Sequence, residues 1–229
     1  MKHFIAAPFG NYLKLSNAIS VTGSWTYKNR PGLFSQVLKT LRYTKDGWRN
    51  KIGLRNAGIF EGLKRSGPDD VLSIAAIDRW DWINMDSVIP SDTSLEINIS
   101  CPNLDKDVGA TSLPGFKLWP NKNREWCICK IPPTASFDLI DQIVDLGYNQ
   151  IHASNTLYSP KGGQSGSLLT PYTNKIIEYI KTKHSHVTVI AGGGVTSKKH
   201  AEDYFNLGAD HVSLGTVCFT PWKIKNILS

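Results

Sequence analysis

The chain of 229 residues is long enough for one α/β domain with a substantial core and leaves little room for a second domain. Its hydrophobic and charged fractions, 41% and 20%, are those of a water-soluble globular protein, and no window reaches the ~18 uninterrupted apolar residues that a membrane-spanning helix requires. The net charge of +7 comes from scattered lysines and arginines without a long basic run, which argues against a nucleic-acid-binding surface.

The N-terminal segment lacks the pattern of a secretory signal, because Pro8, Gly10 and Asn11 interrupt its apolar residues and no obvious cleavage site follows. The four cysteines, at positions 101, 127, 129 and 218, form neither a dense disulfide framework nor a Cys-x-x-Cys metal motif. We therefore expect a cytoplasmic protein with reduced thiols, no metal site, and neither a membrane nor a nucleic acid as partner.

Short β-rich runs alternate with helical patterns along the chain, an order that predicts a parallel sheet with crossover helices. Eight candidate strands follow one another, with the sequences FIAAPF, AISVTGS, VLSIAAI, LEINIS, WCICKI, QIHAS, VTVIAG and HVSLGT. Their number predicts an α/β fold of the TIM (β/α)8 barrel type, formed as a single domain by residues 1–229.

Two connections depart from the regular barrel pattern. Too few residues separate the first two strands for a crossover helix, which with its loops needs ~10 to 12 residues, so we expect the first outer helix to be missing. The fourth connection, DKDVGATSLPGFKLWPNKNRE, contains two prolines and several turn-forming residues but no helical face. It is predicted to be a shortened, irregular loop.

Two later connections have clear helical patterns. In SFDLIDQIVDLG the apolar residues fall on one helical face, Ser136 is placed to cap the N-terminus, and Gly147 is placed to end the helix. SKKHAEDYFNLG repeats this scheme with Ser197 and Gly208. Both segments are predicted to be outer helices of the barrel.

Glycine-rich loops follow the last strands, where barrels of this type usually hold a phosphate group. Backbone without side chains lets amide N–H groups approach an anion closely. The loops are IAGGGVTS with Gly193 and Gly194, SLGTV with Gly215 and Thr216, and SPKGGQSG with Gly166. Ordinary turns would explain any one of these loops, whereas all three at the correct strand ends favour a phosphate site.

Lys130 ends the apolar run WCICKIPP. A buried lysine is costly unless it faces an anion or a polarised carbonyl group, which makes Lys130 a candidate for a ligand site. A surface lysine whose alkyl chain covers apolar neighbours is the alternative. Cys127 and Cys129 lie on one face of the same strand and are interpreted as core residues.

Several motifs together resemble the FMN-dependent dihydroorotate dehydrogenases. They are NISCPN, the lysine of CKIPP, ASNT, GGQSG, AGGGV and LGT, in this order and with comparable spacing, and GSWTYKNRPG and NKIGLRN extend the resemblance upstream. NISCPN within this ordered set is specific, whereas each glycine motif alone is weak. The resemblance implies an FMN-binding barrel that oxidises dihydroorotate to orotate in pyrimidine biosynthesis.

The resemblance also implies residue roles. Cys101 corresponds to the general base of the cysteine-type enzymes, which takes a proton from C5 of dihydroorotate while hydride leaves C6 for flavin N5. Lys130 corresponds to the catalytic lysine that stabilises negative charge near flavin N1. The implied substrate-binding residues are Asn50, Asn98, Asn103, Asn155 and Thr156. The implied cofactor-binding residues are Gly23, Ser24, Asn98, Lys130, Gly166, Gly193, Gly194, Gly215 and Thr216.

The chain differs from the cysteine-type enzymes at two places. Gly23 and Ser24 stand where those enzymes often have a lysine, and the usual Ala-Ser-Gly contact after the first strand is not visible. Lys14 is a candidate for the missing positive charge. Because the sequence shows neither a hydrophobic N-terminal extension nor a cysteine cluster, we expect a soluble electron acceptor such as fumarate, with a homodimer as a candidate assembly.

Two other functions stay open. A flavin-dependent reductase of another dihydropyrimidine or of a tRNA uridine would suit the positive net charge, although RNA-modifying relatives carry an extra helical domain for which this chain has no room. A catalytically silent FMN-binding protein is the second alternative, but FMN binding alone would not require Cys101 and the set of asparagines.

Overall fold

The computed structural model describes residues 1–99, 120 and 122–229. The strands of this part are β1 (His3–Ile5), β2 (Ile19–Trp25), β3 (Arg42–Thr44), β4 (Gly47–Asn50), β5 (Val71–Ile74), β6 (Leu95–Asn98), β7 (Cys127–Lys130), β8 (Gln150–Ala153), β9 (Gly163–Gln164), β10 (Thr188–Gly192) and β11 (His211–Leu214). The helices are α1 (Leu33–Thr40), α2 (Ile59–Arg65), α3 (Arg79–Val88), α4 (Phe137–Asp145), α5 (Thr170–Lys183), α6 (Lys198–Asn206) and α7 (Pro221–Leu228).

Eight parallel strands close into a barrel in the order β1, β2, β5, β6, β7, β8, β10 and β11, and β11 pairs with β1. Each of the eight candidate strand sequences contributes one barrel strand, so the predicted TIM barrel is confirmed. The first outer helix is missing as predicted, because residues 6–18 contain only the single-turn 3-10 helix Phe9–Asn11. Most of the fourth connection lies outside the described residues.

The two predicted outer helices are α4 and α6, and their ends follow the expected chemistry. The hydroxyl group of Ser136 accepts a hydrogen bond from the Leu139 N–H, and that of Ser197 accepts one from the His200 N–H. Gly147 and Gly208 follow the helices with φ values of +98° and +103°, a conformation that glycine adopts without strain. The serines and glycines thus set where each of the two helices begins and ends.

Alternation of side chains along the strands creates two separate cores. Outward-facing residues, among them Cys127 and Cys129, pack against the helices. Inside the barrel, Phe4, Val21, Val71, Ile128 and Ile190 form an apolar layer with Trp126. The next interior layer, towards the carboxyl ends of the strands, is polar and consists of Ser73, Glu96, Lys130, His152 and Ser213.

A small antiparallel sheet lies at the carboxyl end of the barrel, where loops from distant parts of the chain meet. Strands β3 and β4 form a hairpin in the connection after β2, and β9 lies in the connection after β8. β4 pairs with β9 through Asn50 and Gly163, so the two loops are joined by main-chain hydrogen bonds. This sheet, which the sequence pattern did not predict, helps to position Asn50.

Candidate functional site

Two adjoining cavities open at the carboxyl end of the barrel, the end at which barrel enzymes build their active sites. Cavity A has a volume of about 400 Å³ and is lined by Gly23, Ser24 and Asn98 among others. Cavity B has a volume of about 470 Å³ and reaches the glycine-rich loops. Both volumes lie within the usual range of ~300 to 1,000 Å³ for small-molecule and cofactor sites.

The structure brings together the predicted site residues that it describes. Asn50, Lys130, Asn155 and Thr156 line both cavities and therefore mark their boundary. Cavity B is lined by the predicted cofactor-binding residues Gly166, Gly193, Gly194, Gly215 and Thr216. Cys101 and Asn103 lie outside the described residues, so their predicted roles stay predictions.

Lys14 does not lie where a replacement for the missing lysine would be needed. Its Nζ atom lies 2.6 Å from Oδ2 of Asp70, the residue that immediately precedes β5. Asp70 is thus at the amino end of a barrel strand, opposite the cavities. The candidate role of Lys14 in the ligand site was wrong.

The glycine-rich end of cavity B exposes main chain. Gly193 and Gly194 have φ values of +87° and +77°, and a Cβ atom on Gly194 would lie 2.5 Å from Oγ1 of Thr170. A Cβ atom on Gly215 would meet no atom within 4 Å in the described part of the chain. Cavity B therefore has a wall of glycine backbone that a phosphate group could approach closely.

Ser213 provides an independent indication of a polar ligand in cavity B. The residue is 2% exposed and lines the cavity, yet its Oγ atom has no hydrogen-bond partner among the described residues. A buried hydroxyl group without a partner costs about 1–3 kcal/mol. Together with the glycine wall, this hydroxyl fits a ligand such as FMN, which combines a phosphate with a ring system rich in hydrogen-bonding atoms.

Three buried ionisable side chains lie together beneath the cavities. Oε1 of Glu96 lies 3.5 Å from Nζ of Lys130 and accepts a 2.8 Å hydrogen bond from the Ser73 hydroxyl. Oε2 of Glu96 lies 2.6 Å from Nδ1 of His152. Lys130 and His152 both line cavity B. Glu96, which is not among the residues that line cavity B, therefore contacts two residues that do.

The charges of this group follow from its surroundings. Burial opposes ionisation of Glu96, but the positive charge of Lys130 and the hydrogen bonds from His152 and Ser73 outweigh it and lower its pKa to about 2. Burial and the nearby positive charge of Lys130 lower the pKa of His152, against the opposing effect of Glu96. At neutral pH Glu96 is therefore an anion beside a neutral imidazole.

A chain of side-chain hydrogen bonds connects this buried group to the asparagines. Nδ2 of Asn98 donates to Oγ of Ser24 at 2.9 Å, and the Ser24 and Ser73 hydroxyl oxygens lie 2.8 Å apart. Because Ser73 donates its proton to Glu96, Ser24 must be the donor to Ser73. Nδ2 of Asn155 in turn donates to Oδ1 of Asn98 at 3.2 Å. The orientation of these amides is thus linked to the buried carboxylate.

The sequence interpretation missed Glu96, His152 and Ser213. Residues two apart on a strand share a face, so Glu96 lies on the same face as Asn98, and His152 lies on the same face as Ser154. A charged residue in the middle of the apolar run LEINIS was therefore the available signal for an inward-facing ionisable group.

The comparisons with known proteins agree with the resemblance seen in the motifs. No protein-family model matches the chain. Curated relatives include proteins named dihydroorotate dehydrogenase B (NAD(+)), catalytic subunit. That of Fusobacterium nucleatum is 27% identical over 77% of this chain and 68% of its own length, and that of Thermoplasma acidophilum is 27% identical over 93% and 79%. The predicted resemblance to dihydroorotate dehydrogenases is confirmed.

The solved structures that resemble this fold include the DHODH of Eimeria tenella in complex with ferulenol. It has a TM-score of 0.73 and 19% sequence identity, covering 100% of this chain and 80% of that one. The ligand-free DHODH of the same organism gives a TM-score of 0.66 at 19% identity, covering 91% and 75% of the two chains. These structural matches support the barrel fold.

Proposed function

We propose that this protein is an FMN-dependent oxidoreductase that converts dihydroorotate to orotate in pyrimidine biosynthesis. The observation that carries the proposal is the meeting of Asn50, Asn155, Thr156 and Lys130 at the boundary of cavities A and B. The names of the curated relatives support this substrate. We assign the substrate to cavity A and FMN to cavity B.

Cavity A suits an anionic pyrimidine. An asparagine amide offers one acceptor and two donors, which match the alternating carbonyl and N–H groups of such a ring. Arg30 and Arg55 line the same cavity, and none of its described lining residues is an aspartate or glutamate. The positive lining favours the carboxylate group that dihydroorotate carries.

Cavity B suits FMN because its two ends offer different chemistry. We assign the phosphate to the wall formed by Gly166, Gly193, Gly194, Gly215 and Thr216. We assign the ring system to the boundary with cavity A, at Lys130, with Gly23, Ser24 and Asn98 contributing from cavity A. When bound, FMN supplies the hydride acceptor, its N5 atom. Lys130, which Glu96 contacts at 3.5 Å, would contribute the positive charge that stabilises negative charge on the reduced ring. No metal is required by this scheme.

Cys101 is proposed as the general base that removes the proton from C5 of dihydroorotate. It follows Asn98, the last residue of β6, by three residues in the sequence. A thiol is suited to this role because its ordinary pKa, about 8.5, lies close to neutrality and falls beside positive charge. The asparagines and Lys130 then orient substrate and cofactor while Cys101 holds the proton.

The test is anaerobic mixing of the FMN-loaded protein with dihydroorotate, followed by loss of the flavin absorbance. We expect rapid bleaching in the unmodified protein and bleaching slowed by about 10²- to 10⁴-fold in Cys101→Ala with FMN still bound. Cys218→Ala is the matched control, since Cys218 is a free, buried cysteine that packs in the outer core. Protein that binds FMN but is not bleached by dihydroorotate would contradict the assigned substrate.

The same experiment can identify the electron acceptor. The sequence resemblance favours a soluble acceptor such as fumarate, whereas the names of the curated relatives specify NAD(+) and a catalytic subunit. Reoxidation of the bleached protein by fumarate alone would support fumarate as the acceptor. Reoxidation by NAD(+) only after a second subunit is added would support NAD(+) as the acceptor.

A further inference from the structure

His152 has a fixed tautomer because of its contact with Glu96. The Nδ1 atom of His152 lies 2.6 Å from Oε2 of Glu96, and both side chains are almost completely buried. An ionised carboxylate can only accept a hydrogen bond, so Nδ1 must carry the proton. In a neutral imidazole this leaves Nε2 as an unprotonated acceptor.

The Nε2 atom lies beside Gly192, another residue that lines cavity B. His152 lines cavity B together with Gly192, and a Cβ atom on Gly192 would lie only 2.7 Å from Nε2. Within the described residues the hydrogen bonds of the His152 ring involve Nδ1 alone. Because Gly192 has no side chain, position 192 does not cover this acceptor. Ser213, whose hydroxyl group has no partner among the described residues, lines the same cavity.

The charged neighbours of His152 oppose each other. Glu96 on β6 is negative and Lys130 on β7 is positive, and their contact at 3.5 Å offsets much of the field that either exerts on the cavity. Nearby residues on three other strands are uncharged: Ser73 on β5, Ile190 and Gly192 on β10, and Ser213 on β11. His211, two residues before Ser213 on β11, packs against Phe4 and Trp126 of the apolar layer. Lys130 is the only lysine or arginine among the described residues that line cavity B, and Glu96 partly offsets its charge.

We propose that His152 is a proton-accepting residue of the cofactor cavity, which takes a proton from solvent at Nε2 when a bound ligand gains negative charge, and that Glu96 is the positioning residue that keeps Nε2 free for it. This inference rests on the proposed function. Transfer of a hydride to oxidised flavin adds two electrons and one proton, which leaves one negative charge on the ring. Uptake of one proton by His152 balances that charge, with Glu96 stabilising the resulting imidazolium ion.

The test is nitrogen NMR of ¹⁵N-histidine-labelled protein, in which the Nδ1 and Nε2 signals distinguish the two neutral tautomers and the imidazolium form. Spectra are recorded without FMN, with oxidised FMN, and after anaerobic reduction by dithionite. We expect the Nδ1–H tautomer in the first two states at neutral pH. Reduction should shift the Nε2 signal of His152 to its protonated position.

Variants separate this role from a structural one. His152→Gln identifies the His152 signals, and Glu96→Gln removes the negative charge, so the imidazole should remain neutral on reduction while FMN is still bound. His184→Gln is the matched control, because His184 contacts Asp141 at 2.7 Å in another histidine–carboxylate pair, far from the cavities. It should leave the His152 signals unchanged.

The outcomes distinguish the two proposals. Bound FMN that is reduced without any change in the His152 signals, or an Nε2–H tautomer in the ligand-free protein, overturns the inference and leaves the proposed function standing. Protein that binds no FMN overturns the proposed function, and the proton uptake with it. Protonation of Nε2 on reduction, lost in Glu96→Gln, supports the inference.

Discussion

The Nζ atom of Lys130 lies 3.5 Å from Oε1 of Glu96, and both side chains are buried inside the barrel. Removing one partner of a buried ion pair leaves an uncompensated charge. We therefore expect Lys130→Met to lower the free energy of unfolding by about 3 kcal/mol or more and to weaken FMN binding. Chemical denaturation and fluorescence titration with FMN measure the two effects.

A control for this prediction is Lys181→Met. Nζ of Lys181 lies 2.6 Å from Oδ2 of Asp210, but both side chains are partly exposed on the outside of the barrel. Water screens such pairs, so its loss should change the free energy of unfolding by no more than about 1 kcal/mol. If both variants lost the same free energy of unfolding, the predicted larger effect of the buried pair would be contradicted.

Two glycines of cavity B should respond differently to alanine. Gly215 has open space at its Cβ position and a negative φ, so Gly215→Ala should fold normally while its methyl group enters the cavity. We expect FMN affinity to fall about tenfold, or ~1.4 kcal/mol. Gly194 has a φ of +77° and a close neighbour in Thr170, so Gly194→Ala should instead lose about 1–3 kcal/mol of stability. Thermal melts with and without FMN separate the effects.

The amide of Asn98 is expected to govern substrate affinity. It donates to Ser24 and accepts from Asn155, so Asn98→Ala should release the asparagine pair at the boundary of the two cavities. The KM for dihydroorotate should rise about tenfold or more, the cost of leaving buried polar groups unpaired. Asn149→Ala, at an exposed position before β8, is the control and should leave KM unchanged. An unchanged KM in Asn98→Ala would contradict the assignment of cavity A.

Stability should depend on pH through His152. Burial holds its pKa in the folded protein below the ordinary value of about 6.5, so the unfolded chain binds more protons between these two values. The contribution of His152 to stability is complete above pH ~6.5 and is lost as the pH falls towards its pKa in the folded state. Between pH 7 and pH 5 the free energy of unfolding should therefore decline less in His152→Gln than in the unmodified protein. His186→Gln, at an exposed histidine, should decline like the unmodified protein.

The barrel could be predicted from the sequence because each of its strands is a short apolar run bounded by turn residues. The small antiparallel sheet of β3, β4 and β9 could not be predicted in this way. β9 has only two residues, and β3 and β4, with the sequences RYT and GWRN, contain no apolar run. Their pairing depends on contacts between segments more than 100 residues apart, since Asn50 pairs with Gly163. Local propensity carries no information about such contacts.

Some of the cavity residues could likewise be predicted from the sequence, and others could not. The glycines and asparagines could be placed because a motif ties them to strand ends, and the structure does bring together those that it describes. Glu96 and His152 come from strands separated by β7, and their contact depends on the curvature of a closed barrel. Sequence alone could indicate that both face inwards, but not that they meet.

The pairing of β4 with β9 has a consequence for how the protein acquires its site. β4, which carries Asn50, and β9, in the connection that also carries Asn155, are far apart in the sequence, and their main-chain hydrogen bonds close a loop of more than 100 residues. Such distant closures are slow steps, which become favourable only after the intervening strands have assembled. During refolding, the spectroscopic signal of the folded barrel should therefore recover before the capacity to bind dihydroorotate.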